Sequence, residues 1–195
     1  MNRKVIANAA SVMVAVGALT ACASGTSTPA LVTTPAATGL PPRPRTLDAE
    51  GTDPCNLLTP VQQRQLGVDE GSRRDYAKGR PLQGTVCDWS TLKSQGRISY
   101  SVSLLTNRGA EFALGAEPLR TVGGYAATAT SSALGKAQYE CLLLVDIAPG
   151  RSMMSHYTND SADLPGMTHQ RACDNAQTAA EYMLANLRAA QPGGR

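Results

Sequence analysis

The chain has 195 residues, 42% of them hydrophobic but only 4% aromatic, and a formal net charge of +3. That length suits one ordinary domain with flanking segments. With one Trp, one Phe and no block of Lys or Arg, the chain lacks the basic stripe by which a nucleic-acid surface displaces counterions, so nucleic acid is excluded as a partner.

Arg3 and Lys4 are the only charges before residue 22, and a weakly apolar run from Val5 to Leu19 follows them. A basic start, an apolar stretch and small residues behind it make the layout of an export signal. About 15 apolar residues fall short of the roughly 20 that a helix needs to cross a ~30 Å hydrocarbon core, so 1–21 is read as a leader and not as a permanent span. The run ends in Leu19-Thr20-Ala21-Cys22, which resembles the lipobox of bacterial lipoproteins. That resemblance implies cleavage before Cys22 and a thioether from its sulfur to diacylglycerol, the small residues giving the peptidase access to the backbone. An acyl chain contributes about 0.8 kcal/mol per buried CH₂, and two chains suffice for stable anchoring. The competing reading is an ordinary signal cut near Ala21 with Cys22 incidental. Removing 1–21 takes away Arg3 and Lys4 and no acidic residue, so the mature chain is close to neutral.

From Ala23 to Gly51 the chain carries five prolines, six threonines, no aromatic residue and scattered aliphatics such as Leu31, Val32 and Leu40. Such a composition buries too little apolar surface to offset its ordering entropy, which predicts a disordered tether over 22–51. A flexible chain of about 29 residues has an r.m.s. reach of about 30 Å. The globular domain is then expected over 52–190, with 191–195 as a tail.

Assigning Cys22 to lipid leaves Cys55, Cys87, Cys141 and Cys173. Outside the cytosol an even number reads as two disulfides, with three connectivities formally open. No two of these cysteines lie within four residues of each other, so the paired spacing of a structural zinc site is missing and no metal or other cofactor is assigned.

Within the domain, Thr59-Pro60-Val61-Gln62 sets a cap residue, a proline suited to the first helical position and a glutamine placed to close a capping box. Gly67 is the expected stop of that short helix. Arg97 to Leu105 alternates, with Ile98, Tyr100, Val102 and Leu104 on one face and Ser99, Ser101 and Ser103 on the other, as in a half-buried antiparallel strand. Thr85 to Ser90 is its expected hairpin partner, with Cys87 and Trp89 on one side. A short helix over Ala110 to Leu114 and a strand over Tyr125 to Thr130, entered by a turn at Gly123-Gly124, follow. Tyr139 to Ala148 is a strongly apolar strand cut by Pro149-Gly150, with a return over Ser152 to Tyr157. The last element is a helix in which Cys173, Ala176, Ala180, Met183, Leu184 and Leu187 recur at spacings of three and four. The sum is a single α+β domain: a mainly antiparallel sheet packed by a short N-terminal helix and a C-terminal helix, stapled by two disulfides. This layout favours Cys55–Cys87 and Cys141–Cys173, each bridge pinning a helix to the sheet and each contributing roughly 3 to 4 kcal/mol for a loop of about 30 residues.

Catalytic patterns are weak. His156 and His169 sit in polar sequence and read as surface or loop residues, and Gly150-Arg151-Ser152-Met153-Met154 lacks the second glycine of a nucleophile elbow. His156, Asp160, Asp163 and His169 offer N and O donors in one stretch, but such residues are usual in loops. Val122-Gly123-Gly124-Tyr125 lacks the spacing and the lysine of a phosphate-binding loop. Trp89, beside Cys87, is read as core.

Asp53-Pro54-Cys55-Asn56-Leu57-Leu58-Thr59-Pro60, then Cys87-Asp88-Trp89, a cysteine on an apolar strand and Cys173 ahead of an Ala-rich helix resemble the actinobacterial lipoproteins grouped as domain of unknown function 3558. The resemblance implies an α+β domain at the outer face of the cytoplasmic membrane with structural cysteines, and it brings no catalytic residue. The expected function is a non-enzymatic envelope lipoprotein, an interaction or accessory module held to the membrane through Cys22 and meeting an envelope protein. The alternative is a binding protein for a small hydrophobic or lipidic ligand held between sheet and helix, suggested by the few large side chains. A hydrolase ranks third.

Overall fold

The computed structural model describes residues 39–76, 81–91, 98–130, 139–160 and 165–191, all within one compact unit that runs from Ala36 to Arg195. Residues 1–38, and with them Cys22, lie outside the described part. A 3-10 turn, Pro54–Leu57, opens the cysteine framework, and its N-cap Asp53 accepts from the Cys55 N–H at 3.0 Å. Helix α1, Pro60–Leu66, follows with the predicted capping box. The Thr59 N–H donates to Gln62 Oε1 at 2.8 Å, the Gln62 N–H donates to Thr59 Oγ1 at 3.3 Å, and Gly67 ends the helix at φ 73°.

The strands are β1 Ser72–Asp75, β2 Gly84–Ser90, β3 Ile98–Leu105, β4 Arg120–Val122, β5 Tyr125–Thr130, β6 Tyr139–Ala148 and β7 Arg151–Asn159. They form one antiparallel sheet in the order β1-β2-β3-β7-β6-β5-β4. Two meanders, β1 to β3 and β4 to β7, are thus joined where β3 pairs with β7. The predicted hairpins appear in register, with Cys87 opposite Val102 and Trp89 opposite Tyr100. Gly123 and Gly124, at φ 53° and 89°, form the two-residue link between Val122 and Tyr125, a turn whose positive dihedrals favour glycine.

One face of the sheet packs under helix α2, His169–Ala189, capped by Thr168, whose side chain accepts from the Arg171 N–H at 3.1 Å. Ala172, Cys173, Ala176, Ala179, Ala180, Met183, Leu184 and Leu187 are all buried, and the alanines bring the helix axis close to β6 and β7. Ser155 donates its hydroxyl to the Ala176 carbonyl at 2.9 Å. The disulfides are Cys55–Cys87, joining the 3-10 turn to β2, and Cys141–Cys173, joining β6 to the first turns of α2.

The opposite face is only partly covered by the described residues. Because β4 lies at the far edge, the connection after β3 crosses this face, and its 3-10 helix, Ala110–Ala113, sets alanines on Leu105, Leu144 and Met154. Thr128 donates to the Ala110 carbonyl and Ser152 to the Arg108 carbonyl, each at 2.8 Å. Strand residues that alternation alone assigns to solvent are therefore buried and satisfied.

Two parts of the sheet and both domain boundaries differ from expectation. Strand β1, Ser-Arg-Arg-Asp, is exposed throughout and β4 has three residues, so neither carries a period; both are edges, and the charges of β1 suit an edge that must not recruit another strand. Residues 39–51, assigned from composition to a disordered tether over 22–51, pack on the domain, and the rest of that segment lies outside the described residues. Leu47 is 1% exposed and its N–H donates to the Ile147 carbonyl at 2.9 Å. Arg43 makes a two-pronged ion pair with the buried Asp146 at 3.0 and 2.8 Å. Gln191, assigned to the tail, is also tied in: its amide nitrogen donates to the Asp48 carbonyl at 2.8 Å and its amide oxygen accepts from the Asp48 N–H at 3.0 Å. A few isolated contacts such as Leu47 and the Arg43–Asp146 pair leave no periodic trace, yet they supply the apolar burial and the charge pairing that average composition says are missing.

Candidate functional site

The two histidines flank one residue of β6, Glu140, from opposite faces of the sheet. His169 opens α2 on the helix side. Its Nδ1 lies 2.9 Å from the Glu140 carbonyl oxygen and its Nε2 2.7 Å from Glu117 Oε1. Both partners are acceptors, so both contacts are hydrogen bonds when both ring nitrogens carry hydrogen. The same Nε2 is 3.5 Å from Cys173 Sγ.

His156 lies on the partly open face, one residue from the helix-facing Ser155. Its Nε2 is 3.6 Å from Glu140 Oε2, near enough for attraction between charges but too long for a hydrogen bond, and this buried nitrogen has no hydrogen-bond partner among the described residues. Burial pushes the imidazole below its ordinary value, against the opposing pull of the Glu140 and Asp88 carboxylates. Ser101 is its cross-strand neighbour on β3 and Leu142 on β6.

His156, Asp160, Asp163 and His169, donors close in sequence and read as ordinary loop residues, are not brought together: the histidines face opposite sides of the sheet, Asp160 is exposed at the end of β7, and Asp163 lies outside the described residues. The ligand atoms of Cys141, His169 and Cys173 do lie within 4.8 Å of one another. Both sulfurs are joined in the disulfide, so that trio offers a metal one imidazole nitrogen and no thiolate. Ser152 is fully buried, its hydroxyl given to the Arg108 carbonyl. Trp89 is core, 0% exposed.

The helix-to-sheet layer is filled by side chains that are 0 or 1% exposed, Ala172 to Leu187 on one side and Leu143, Val145 and Met153 on the other. Three surface depressions lie away from it: one between Arg73, Leu105 and Arg151, one around Asn56, Pro60 and Glu70, and one around Pro165 and Arg171. The carboxylates Glu117 and Glu140 are not among the candidates that motifs and spacing alone supply. Glu140 had a signal, since an acid inside an apolar strand needs a partner when buried; Glu117, in a loop, had none.

A family model described as "Protein of unknown function (DUF3558)" matches residues 17–186. The chain belongs to that family. No curated protein and no solved structure shows a significant match. The DUF3558 match takes in both disulfides, both histidines and the Cys22 motif.

Proposed function

We propose that this DUF3558 protein is an exported lipoprotein, cut before Cys22 and held by diacylglycerol to the outer face of the cytoplasmic membrane, where its domain serves as a non-enzymatic interaction module for an envelope partner. The observation that carries the reading is the fate of the cysteines. Cys55–Cys87 and Cys141–Cys173 are joined, and the fifth, Cys22, closes Leu19-Thr20-Ala21 behind an apolar run. Among the described helices none is long and apolar enough to cross a membrane, and a lipidated cysteine needs no such helix. The non-enzymatic part is supported by the side chains that catalysis would recruit: Ser152 is committed to a backbone carbonyl and the His169 ring to Glu140 and Glu117.

Intact-mass analysis of the protein extracted from membranes tests the anchor. A mature chain beginning at Cys22 and carrying acyl groups is expected, and Cys22→Ala should accumulate as uncut precursor; an unacylated wild-type chain would sink the reading. Turnover of an envelope substrate that disappears in His156→Gln would overturn the non-enzymatic assignment.

A further inference from the structure

The connection that crosses the open face of the sheet is inside out. Its 3-10 helix turns Ala110 and Ala113 to the core, 0 and 8% exposed, and leaves the chain's one phenylalanine, Phe112, 63% exposed. Leu114 and Leu119, in the same loop, are 37 and 45% exposed. Scattered exposed apolar residues are ordinary, but here small side chains make the core contact while the large ones in one loop face water, which is the pattern of a contact surface. The Arg108 guanidinium lies over the Phe112 ring, 4.3 Å from its centroid, and the Arg108 Nε is buried with no hydrogen-bond partner among the described residues. A cation over an aromatic ring, with two exposed leucines further along the same loop, fits the boundary between phosphate headgroups and acyl chains.

The path of the chain gives the occupant. Residues 39 and 40 lie at this loop: a Cβ added at Gly39 would sit 3.5 Å from Leu114 Cδ1, and Leu40 packs against the cluster that holds Ala110 and Ala113. The described residues thus begin beside the apolar loop, and the roughly 17 residues of sequence between Cys22 and Gly39 span at most roughly 60 Å even when fully extended. An anchor at one end of so short a path keeps the loop at high effective concentration against the bilayer.

We infer that Phe112, Leu114 and Leu119 form a second membrane contact, by which the domain lies with this loop in the headgroup layer of the bilayer that holds Cys22. The inference rests on the lipoprotein reading above, and its test separates the two. The acylated full chain is placed in phosphatidylglycerol/phosphatidylcholine vesicles with brominated acyl chains, as wild type, Phe112→Trp and Val61→Trp. Val61, on α1, is a control of similar exposure at 55%, and the wild-type signal accounts for Trp89. The indole of F112W should be quenched at least about twofold more than that of V61W and emit further to the blue, as for a ring at the interface. Leu119→Trp repeats the reading from a second position in the loop. Equal quenching at the loop and control positions in an acylated chain overturns the membrane contact alone, as would a loop shielded by self-association or by another protein. An unacylated mass overturns both readings.

Discussion

At Gly71 a side chain has no room. An added Cβ would fall 2.6 Å from Cys87 Sγ and 2.8 Å from Trp89 Cε2, well inside van der Waals contact, and neither a bridged sulfur nor a fully buried indole has space to retreat. Gly71→Ala should cost about 1–3 kcal/mol, read as a lower urea midpoint at unchanged slope. His156 carries a pH dependence of definite sign. Its folded-state pKa lies below the ordinary 6.5 because the ring is buried, the Glu140 and Asp88 carboxylates opposing that shift only in part. Between the folded value and about 6.5 the unfolded chain therefore binds more protons than the folded one, so this residue's contribution to stability falls as pH falls. Comparing urea midpoints from about pH 7.5 to about pH 5.5, wild type should lose stability relative to His156→Gln on acidification; the opposite trend would show that attraction to the carboxylates outweighs burial. The sequence alone reads His156 as a surface or loop residue, although it falls within the strand expected over Ser152 to Tyr157; the pull of Glu140 depends on the β6–β7 register.

Elements with a full period or a capping signal were legible, and the two short edge strands were not. The α2 stripe could be read from Cys173 to Leu187 because several turns repeat it, and β3 because eight residues alternate. The edges β1 and β4 escaped because three or four residues beside charges contain no period. What α2 does with its alanines appears only on packing. Ala180 is fully buried against the sheet while Ala185 is exposed on the same helix. Ala180→Leu should therefore destabilise by about 1–3 kcal/mol through overpacking, and Ala185→Leu should stay within about 0.5 kcal/mol of wild type. Equal effects in thermal denaturation would mean that the helix does not approach the strands so closely.

For the whole molecule, the decisive contacts join distant parts of the chain. Leu47 enters the main core beside Ile147, so Leu47→Ala should cost about 2–5 kcal/mol, as a core truncation does. A segment that were only a tether would show no change in the unfolding midpoint. Each disulfide ties an element to the sheet, and non-reducing peptide mapping should recover Cys55 with Cys87 and Cys141 with Cys173; a Cys55–Cys141 peptide would contradict the arrangement of strands and helices. Removing Cys141–Cys173 by paired serine substitutions should cost about 2–5 kcal/mol and loosen the first turns of α2.

Local chemistry alone determined the capping box at Thr59, the main strands and the last helix, because each is written in spacings of a few residues; the α+β class and the favoured cysteine pairing follow from the order of those elements. Only the tertiary structure decided that β3 pairs with β7, that the connection after β3 crosses the open face, and that Arg43 and Leu47 belong to the domain. It likewise decided that Glu140 stands between the two histidines. Those facts depend on pairs such as Arg43 and Asp146, 103 residues apart, and no period within a single strand or helix encodes a partner that becomes a neighbour only when the sheet closes.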